Sequence, residues 1–245
     1  MCSASTLAPG RYEYEIEARL DYVFRRRGGW GPAYGSIVAG GSRATVLHYI
    51  RNDQRLVDGD LVLIDAGAEL QGYASDVTRT YPVNGHFEGA ARDVYQVVLA
   101  AQKVGIQNAR PASNLVDLHA ATLRELVKGM VEIGLLQGEI DQLIESEAFR
   151  PYYMHGTSHW LGLDVHDAGP YMEGSQPRAL KEGMVFTVEP GLYVPPDDSE
   201  APEVFRGIGI RIEDNIAITR DGSENLTADI PKEVSDIETW VQQDH

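Results

Sequence analysis

The chain has 245 residues, 43% of them hydrophobic, which is enough to bury the core of one large domain or two small ones. Its 37 acidic and 21 basic residues give a formal net charge of −16, which disfavours nucleic acids and anionic membranes as partners, because both bind basic surfaces. The single cysteine, Cys2, excludes an internal disulfide and is typical of a reducing compartment. Since no signal peptide or membrane span is recognisable either, we expect a cytoplasmic protein.

The first third of the chain predicts one helix followed by short strands. Apolar residues recur at helical spacing from Tyr12 until Gly28-Gly29, which predicts a capped surface helix. Two short strands are expected over 36–39 and 45–49, on either side of a glycine turn. His48 lies at the end of the second strand, where an isolated histidine is more often structural than catalytic.

A β-hairpin with two acids is predicted next. The apolar run over 61–64 is typical of a strand buried on both faces and ends on Asp65, and a second strand pattern over 73–81 carries Asp76. In such a hairpin the two carboxylates can lie opposite or diagonal, within reach of one ion. Arg79 offers a simpler interpretation, an ion pair with one of these acids. Metal binding is preferred, because one arginine cannot offset two buried carboxylates.

The middle of the chain predicts helices. Amphipathic patterns cover 88–108 and 114–134, and a shorter pattern covers 139–146. Their apolar stripes are those of helices that face a core. His119, on the second helix, is therefore interpreted as structural.

Two later strand patterns repeat the arrangement in which an apolar strand presents an acid. The run over 183–191 reaches Glu189 and then turns, and the run over 206–215 alternates isoleucine with other residues and carries Glu213. The polar tail after Asp221 predicts little. Three separate strands are thus expected to present a carboxylate.

A histidine-rich segment lies between these two groups of strands. Residues 154–167 contain His155, His159 and His166, and histidine is well suited to proton transfer near neutral pH and to binding transition metals. Clustered histidines can also lie in a polar loop without a function. Combined with the acids, one of them completes a set of four carboxylates and one imidazole: Asp65, Asp76, His159, Glu189 and Glu213. Such an oxygen-rich set suits Mn²⁺, Fe²⁺, Co²⁺ or Zn²⁺, and four acids suit two ions rather than one.

Six segments carry a resemblance to a known family: 47–49 (LHY), 58–67 (DGDLVLIDAG), 72–80 (GYASDVTRT), 155–167 (HGTSHWLGLDVHD), 187–193 (TVEPGLY) and 207–215 (GIGIRIEDN). In this order they resemble the metallopeptidases of the pita-bread fold, and most closely the aminopeptidase P (Xaa-Pro aminopeptidase) group. The resemblance implies an α+β fold of two pseudo-twofold halves, with curved antiparallel sheets covered by helices. It implies one catalytic domain over 1–245, without the N-terminal domain and first helix usual in the family. Thr157 stands where an apolar residue is expected.

The resemblance also implies a dinuclear metal site, with Mn²⁺ the expected ion. Asp76 and Glu213 are similar to ligands that bridge the two ions. Asp65 is similar to a ligand of one ion, and His159 and Glu189 are similar to ligands of the other.

The remaining roles follow from the same resemblance. Glu189 would orient a water between the ions and take its proton, and His155 or His166 would stabilise the oxyanion. His48, with these two histidines, would line the substrate site, next to Tyr193 and Arg211. Because proline lacks the backbone N–H that most peptidases bind, it needs a dedicated pocket, of which His48 is the candidate.

The expected activity is removal of an N-terminal residue that precedes proline, from peptides, by a chain that can form homo-oligomers. A prolidase, which cleaves only Xaa-Pro dipeptides, is the main alternative. A non-catalytic binding module of the same fold is a second alternative, although such modules lose ligands and none is missing here. A calcium-binding module is a third, which has no need of a histidine cluster.

Overall fold

The computed structural model describes residues 7–242. Cys2, from which a reducing compartment is expected, lies outside these residues. The five helices are α1 (Glu13–Arg26), α2 (Gly89–Asn108), α3 (Leu115–Glu132), α4 (Ile140–Glu145) and α5 (Val234–Gln242). The first four confirm the helices predicted from apolar periodicity, within two residues at most ends. None of the helices in this part of the chain is long and apolar enough to cross a membrane.

Thirteen short strands are described: β1 (Gly31–Pro32), β2 (Ile37–Gly40), β3 (Leu61–Asp65), β4 (Ala68–Leu70), β5 (Tyr73–Ala74), β6 (Thr78–Pro82), β7 (Met172–Glu173), β8 (Gln176–Pro177), β9 (Val185–Val188), β10 (Gly191–Tyr193), β11 (Gly209–Arg211), β12 (Asp214–Ile218) and β13 (Ser223–Asn225). All their pairings are antiparallel. The sheet orders are β2-β3-β6, β13-β12-β9, β1-β4-β5, β10-β11 and β7-β8. After α1, a group of antiparallel strands followed by one or more helices thus occurs twice along the chain, which is typical of an α+β fold.

The predicted hairpin forms, but its second strand is broken. Asp65 pairs with Thr78, so Asp76 lies diagonal to it, beyond the last paired residue. The strand expected over 73–81 divides into β5 and β6, and between them the backbone of Asp76 bonds to the side chain of Asn215. The two backbone stretches of the hairpin approach so closely here that a Cβ at Gly67 would lie 1.6 Å from the carbonyl oxygen of Ser75.

The strand expected over 45–49 is wrong. A 3₁₀ helix (Gly41–Thr45) leads instead into an irregular segment that continues to residue 54. Its apolar residues suggested a half-buried strand, yet Val46 and Ile50 are exposed. Hydrogen bonds of Tyr49 and Gln54 to Glu13, and of the Asn52 side chain to β2 and Ser36, hold this segment instead of a strand pairing, which local β propensity does not predict.

The strand expected over 206–215 is also two strands. β11 pairs with β10, whereas β12 pairs with β9, and the chain changes sheets at Glu213. The Glu213 N–H donates to the carbonyl of Thr78 at 3.0 Å, and this bond joins the two halves of the fold.

The tail after Asp221 has more structure than its sequence predicts. It contains β13 and α5, and the α5 residues Val234, Ile237 and Val241 are buried in the main hydrophobic core. Helices α2 and α3 pack against each other over that core. A largely apolar cavity of about 440 Å³ is bordered by Leu20 and Phe24 of α1 and by Trp240 of α5.

Candidate active site

The expected site residues lie where strands end or break. Asp65 is the last residue of β3, Asp76 precedes β6, Glu189 follows β9, and Glu213 lies between β11 and β12. His159 comes from an irregular segment that runs beside β9, where its N–H donates to the hydroxyl of Thr187 at 3.1 Å. Strand ends concentrate side chains at one edge of a sheet while the strands hold the backbone rigid. This arrangement can therefore gather residues that are distant in sequence.

The five candidate ligands converge on one cavity. Nε2 of His159 lies 3.3 Å from a carboxylate oxygen of Asp76 and 3.3 Å from one of Glu189. One ligand atom each from Asp76, His159 and Glu213 lie within 4.8 Å of one another. The cavity has a volume of about 270 Å³, and its lining contains all five residues together with Leu47, His48, His155, Gly156, Ser158, His166 and Arg211. Tyr193 lies one layer behind and bonds to two of the lining side chains.

The carboxylates are held by donors from around the cavity. Nη2 of Arg211 lies 2.5 Å from Asp65, and the hydroxyl of Thr78 donates to Glu213 at 2.7 Å. The other oxygen of Glu213, Oε1, is buried and has no hydrogen-bond partner within residues 7–242. A buried carboxylate oxygen without a partner is costly, so this atom points to a cation as its missing neighbour.

Electrostatics supports the same conclusion. Burial raises the pKa of Glu213 well above its ordinary value, and the charges of Asp76 and Glu189 raise it further. Burial also raises the pKa values of Asp65 and Glu189, against the opposing charges of Arg211 and His159. Carboxylates that are this crowded favour protonation unless a cation neutralises them. The donor set of carboxylate oxygens and one imidazole therefore fits a divalent metal.

The candidate metal-binding histidine differs from the other two in its electrostatics. Burial lowers the pKa of His159, but its hydrogen bond to Asp76 and the charge of Glu189 outweigh this effect, so that the pKa is raised overall. Burial lowers the pKa of His155 to about 4 and also lowers that of His166. Of these three histidines, His159 is therefore the one whose acidic neighbours outweigh its burial, as expected for a ligand between acids.

A chain of hydrogen bonds continues behind the acids. The guanidinium of Arg211 donates to the Tyr193 hydroxyl at 3.1 Å, and this hydroxyl lies 2.9 Å from Nε2 of His155. Nδ1 of His155 lies 2.8 Å from the carbonyl of Gly156, which can only accept. In neutral His155 the proton therefore belongs on Nδ1, and Tyr193 donates to Nε2. Both ring nitrogens of His155 are thus engaged.

Sequence reasoning missed two features of the site. The hydroxyl of Tyr34 lies 2.6 Å from Asp65 and 2.5 Å from Asp76, so one phenol bridges both acids of the hairpin. Its only signal in the sequence is an aromatic residue in a glycine- and proline-rich loop, a pattern too common to indicate a metal site.

The second missed feature explains Thr157, the residue that replaces an expected apolar one. Its buried hydroxyl lies 2.8 Å from Nδ1 of His119 and 2.8 Å from the hydroxyl of Tyr153. The ring of Tyr153 packs edge-on against His155, with 4.9 Å between the ring centroids. His119 thus belongs to a buried polar cluster behind the cavity, and Thr157 is the member that joins the other two.

The alternative role for Arg79 is wrong. Its guanidinium pairs with Asp214 at 2.7 Å and with neither acid of the hairpin. Asp65 instead pairs with Arg211 at 2.5 Å, and Asp76 lies 3.3 Å from Nε2 of His159.

Most of the chain is similar to known metallopeptidases. The profile of metallopeptidase family M24 matches residues 1–220. A Xaa-Pro aminopeptidase of Haemophilus influenzae is 51% identical over 236 residues, which is 96% of this chain and 54% of the relative. A Xaa-Pro aminopeptidase of Escherichia coli is 49% identical over 233 residues, 95% of this chain and 52% of the relative. The chain therefore spans about half the length of these relatives.

Solved structures agree with the sequence comparison. Pseudomonas aeruginosa aminopeptidase PepP superposes with a TM-score of 0.97 at 46% identity, over 98% of this chain and 55% of that chain. Proline aminopeptidase P II from Yersinia pestis superposes with a TM-score of 0.95 at 50% identity, over 98% and 55% respectively. The expected pita-bread fold is confirmed. The chain belongs to metallopeptidase family M24.

Proposed function

We propose that this chain is the catalytic domain of a dinuclear metallo-aminopeptidase that hydrolyses the peptide bond between an N-terminal residue and a following proline. The observation that carries the proposal is the convergence of four carboxylates and one imidazole on a single cavity of about 270 Å³. Membership of a metallopeptidase family and the names of its relatives support it. The proposed substrates are peptides with proline at the second position. A single domain over 1–245, a homo-oligomer and a cytoplasmic location stay predictions.

The proposed ligand set assigns Asp76 and Glu213 to both ions, Asp65 to one, and His159 and Glu189 to the other. The unpartnered oxygen of Glu213 and the raised carboxylate pKa values support a cation at this point. Mn²⁺ is the proposed ion, because oxygen ligands outnumber nitrogen, and Co²⁺, Zn²⁺ and Fe²⁺ suit the same donors. Two such ions, when bound, supply the positive charge that acidifies a water between them and polarises the substrate carbonyl.

Glu189 is the proposed general base. One of its carboxylate oxygens accepts from the hydroxyl of Thr187 at 3.1 Å and lies 3.3 Å from His159. These contacts hold the carboxylate at the cavity wall. A carboxylate fixed in this way can take the proton of the attacking water and pass it to the departing proline nitrogen.

His166 is the better candidate for stabilising the oxyanion. Both nitrogens of His155 already bond to Tyr193 and Gly156, so that His155 would have to break a bond before it could donate. His166 is exposed at the cavity, and its ring centroid lies 4.3 Å from that of His159. We therefore assign His155 to shaping the cavity wall, with Tyr193 and Arg211 holding it in place.

Recognition of proline is assigned to the wall that His48 and Leu47 form. Since proline offers no backbone N–H in this position, it must be recognised by shape and by contact with its ring. Leu47 supplies an apolar surface and His48 a flat ring to the lining of the cavity. The exposed position of His48 suits a residue that meets the substrate at the entrance.

A peptide assay tests the proposal. The purified chain with added Mn²⁺ should release the first residue from Xaa-Pro-Xaa peptides. A Glu189→Gln variant should fold normally and lose about 10²- to 10⁴-fold in kcat, the range typical of a general base. Metal analysis of the wild type should find about two ions per chain. Intact peptides with a fully metal-loaded wild type would contradict the proposal.

The same assay separates the alternatives. A prolidase would cleave Xaa-Pro dipeptides and leave Xaa-Pro-Xaa intact. A non-catalytic binding module would cleave neither and would not retain Mn²⁺. An aminopeptidase should cleave the longer peptide.

A further inference from the structure

The buried carboxylate of Glu13 is the feature from which a further inference follows. Glu13 is the first residue of α1, and its side chain is fully buried. Four donors surround it. Oε1 accepts from the Gly40 N–H at 2.9 Å and from Nε of Arg43 at 2.8 Å. Oε2 accepts from the Tyr49 hydroxyl at 2.9 Å and from the Gln54 N–H at 3.0 Å.

All four donors belong to a single segment, residues 40–54, which we name the His48 segment. Gly40 and Gln54 are its two ends, and Arg43 and Tyr49 lie between them. The backbone reinforces the same contact, because the N–H of Glu13 donates to the carbonyl of Gln54 at 2.9 Å. One carboxylate thus fastens both ends and the middle of this segment to the beginning of α1.

The His48 segment depends on such contacts for its shape. After its 3₁₀ turn it has no regular structure, and Val46, His48 and Ile50 are exposed. Ordering an irregular chain costs about 1–2 kcal/mol per residue in backbone entropy, which interactions must offset. A second anchor is Asn52, whose buried amide bonds to the backbone of Val38 and Ser36.

The same segment forms one wall of the candidate active site. Leu47 and His48 line the cavity with the acids, and Tyr49, the next residue, bonds to Glu13. The Glu13 carboxylate therefore binds the residue next to His48, whose ring lines the cavity. A fully buried charge needs strong compensation, and here the compensation comes entirely from the segment whose position matters.

We propose that Glu13 is a positioning residue that holds His48 at the cavity so that it can bind the substrate. The inference rests on the proposed function, since it assumes that His48 contacts a proline-containing peptide. The hydrogen bonds recorded for the Glu13 carboxylate within residues 7–242 reach Gly40, Arg43, Tyr49 and Gln54, none of which lines the cavity, so Glu13 acts through the His48 segment. Its loss should weaken substrate binding and spare the chemical step.

Kinetics with a matched control tests this role. In Glu13→Gln the amide keeps one acceptor oxygen and turns an NH₂ group toward two donors, so at least two of the four bonds are lost. We expect KM for Xaa-Pro-Xaa to rise roughly tenfold with kcat changed less than about threefold. The control is Glu15→Gln, the same change one half-turn further along α1, where the hydrogen bonds of the side chain within residues 7–242 are to Arg11 and the Tyr12 N–H. Its KM should stay within about twofold of wild type.

A double-mutant cycle identifies His48 as the residue through which Glu13 acts. In a His48→Ala background, Glu13→Gln should change kcat/KM by less than about twofold, because the group that it positions is gone. Tyr49→Phe removes one of the four donors and serves if Glu13→Gln folds poorly. It should show a smaller loss that also vanishes in His48→Ala. Equal losses in both backgrounds would overturn the inference and leave Glu13 a purely structural residue.

Limited proteolysis measures the segment without using activity. Arg51 is exposed near the C-terminal end of the segment, so cleavage after it by trypsin reports on local opening. Cleavage should be faster in Glu13→Gln than in wild type and unchanged in Glu15→Gln. An active wild type whose Glu13→Gln variant keeps its KM contradicts this inference alone. A metal-loaded wild type that leaves Xaa-Pro-Xaa peptides intact contradicts the proposed function, and the inference with it.

Discussion

The guanidinium of Arg79 lies 2.7 Å from the carboxylate of Asp214, and both side chains are almost completely buried. Arg79 also donates to the carbonyl of Glu213, the residue next to its partner. The ion pair therefore lies directly behind one of the candidate ligands. It holds the backbone of Glu213 without competing for its carboxylate, whose Oε1 has no hydrogen-bond partner in the described residues and can contact a cation.

Asp214→Asn should strongly destabilise the fold. Besides Arg79, Asp214 bonds to Gln102, Thr227 and Lys232, so the substitution leaves a buried guanidinium without its counter-charge. Removing one partner of a buried pair costs about 3–5 kcal/mol. Urea denaturation monitored by circular dichroism measures the loss. Asp141→Asn breaks an exposed pair with Arg124 and should leave the denaturation midpoint unchanged; comparable shifts for the two variants would contradict the argument.

Tyr34→Phe should weaken metal binding without unfolding the protein. The phenol hydroxyl lies within hydrogen-bond distance of Asp65 and Asp76, and its loss lets the two carboxylates rotate apart. Removing a group that orients metal ligands typically lowers metal affinity about 10- to 100-fold. Titration calorimetry with Mn²⁺ gives the affinity. The exposed Tyr14 supplies the control, Tyr14→Phe, and an unchanged affinity in Tyr34→Phe would exclude the orienting role.

His119 should make the fold less stable in mild acid. Burial lowers its pKa below the ordinary value of 6.5. As the pH falls through 6.5, the unfolded chain takes up a proton that the folded chain does not, so the free energy of unfolding decreases. His119→Asn keeps a polar atom near Thr157 and removes the titration. Between pH 7.5 and 5.5 its free energy of unfolding should therefore fall less than that of wild type, and parallel curves would show that His119 makes no such contribution.

Mn²⁺ should stabilise the folded chain. The crowded acids repel one another, and an ion that binds only the folded state adds stability as its concentration rises, about 2.7 kcal/mol at 100 times the dissociation constant. Thermal unfolding with and without Mn²⁺ measures this gain. Glu213→Gln removes a candidate ligand and should lose most of it. A gain of the same size in wild type and variant would indicate binding elsewhere.

Several elements could be predicted because their causes are local. The helices α2 and α3 follow from apolar spacing, and β3 follows from an uninterrupted apolar run that ends on Asp65. The prediction of a strand over 45–49 was wrong because its β-forming residues are exposed. Hydrogen bonds of the Glu13 and Asn52 side chains hold this part of the chain instead. The structure of the segment after Asp221 was not predicted, because α5 is a short helix. Its stability comes from burying three apolar residues in a core that distant parts of the chain form.

The sequence by itself determined which groups of this protein can do chemistry: the acids at strand ends, the three histidines of one segment, and the family to which their order belongs. Tertiary structure alone decided their partners. Tyr34 is 42 residues from Asp76, His119 is 38 residues from Thr157, and Glu13 is 36 residues from Tyr49 along the chain. Periodicity and propensity act over a few residues, whereas these contacts exist only because packing brings distant segments together. Local sequence thus identifies the residues of the site, whereas the whole fold determines their geometry.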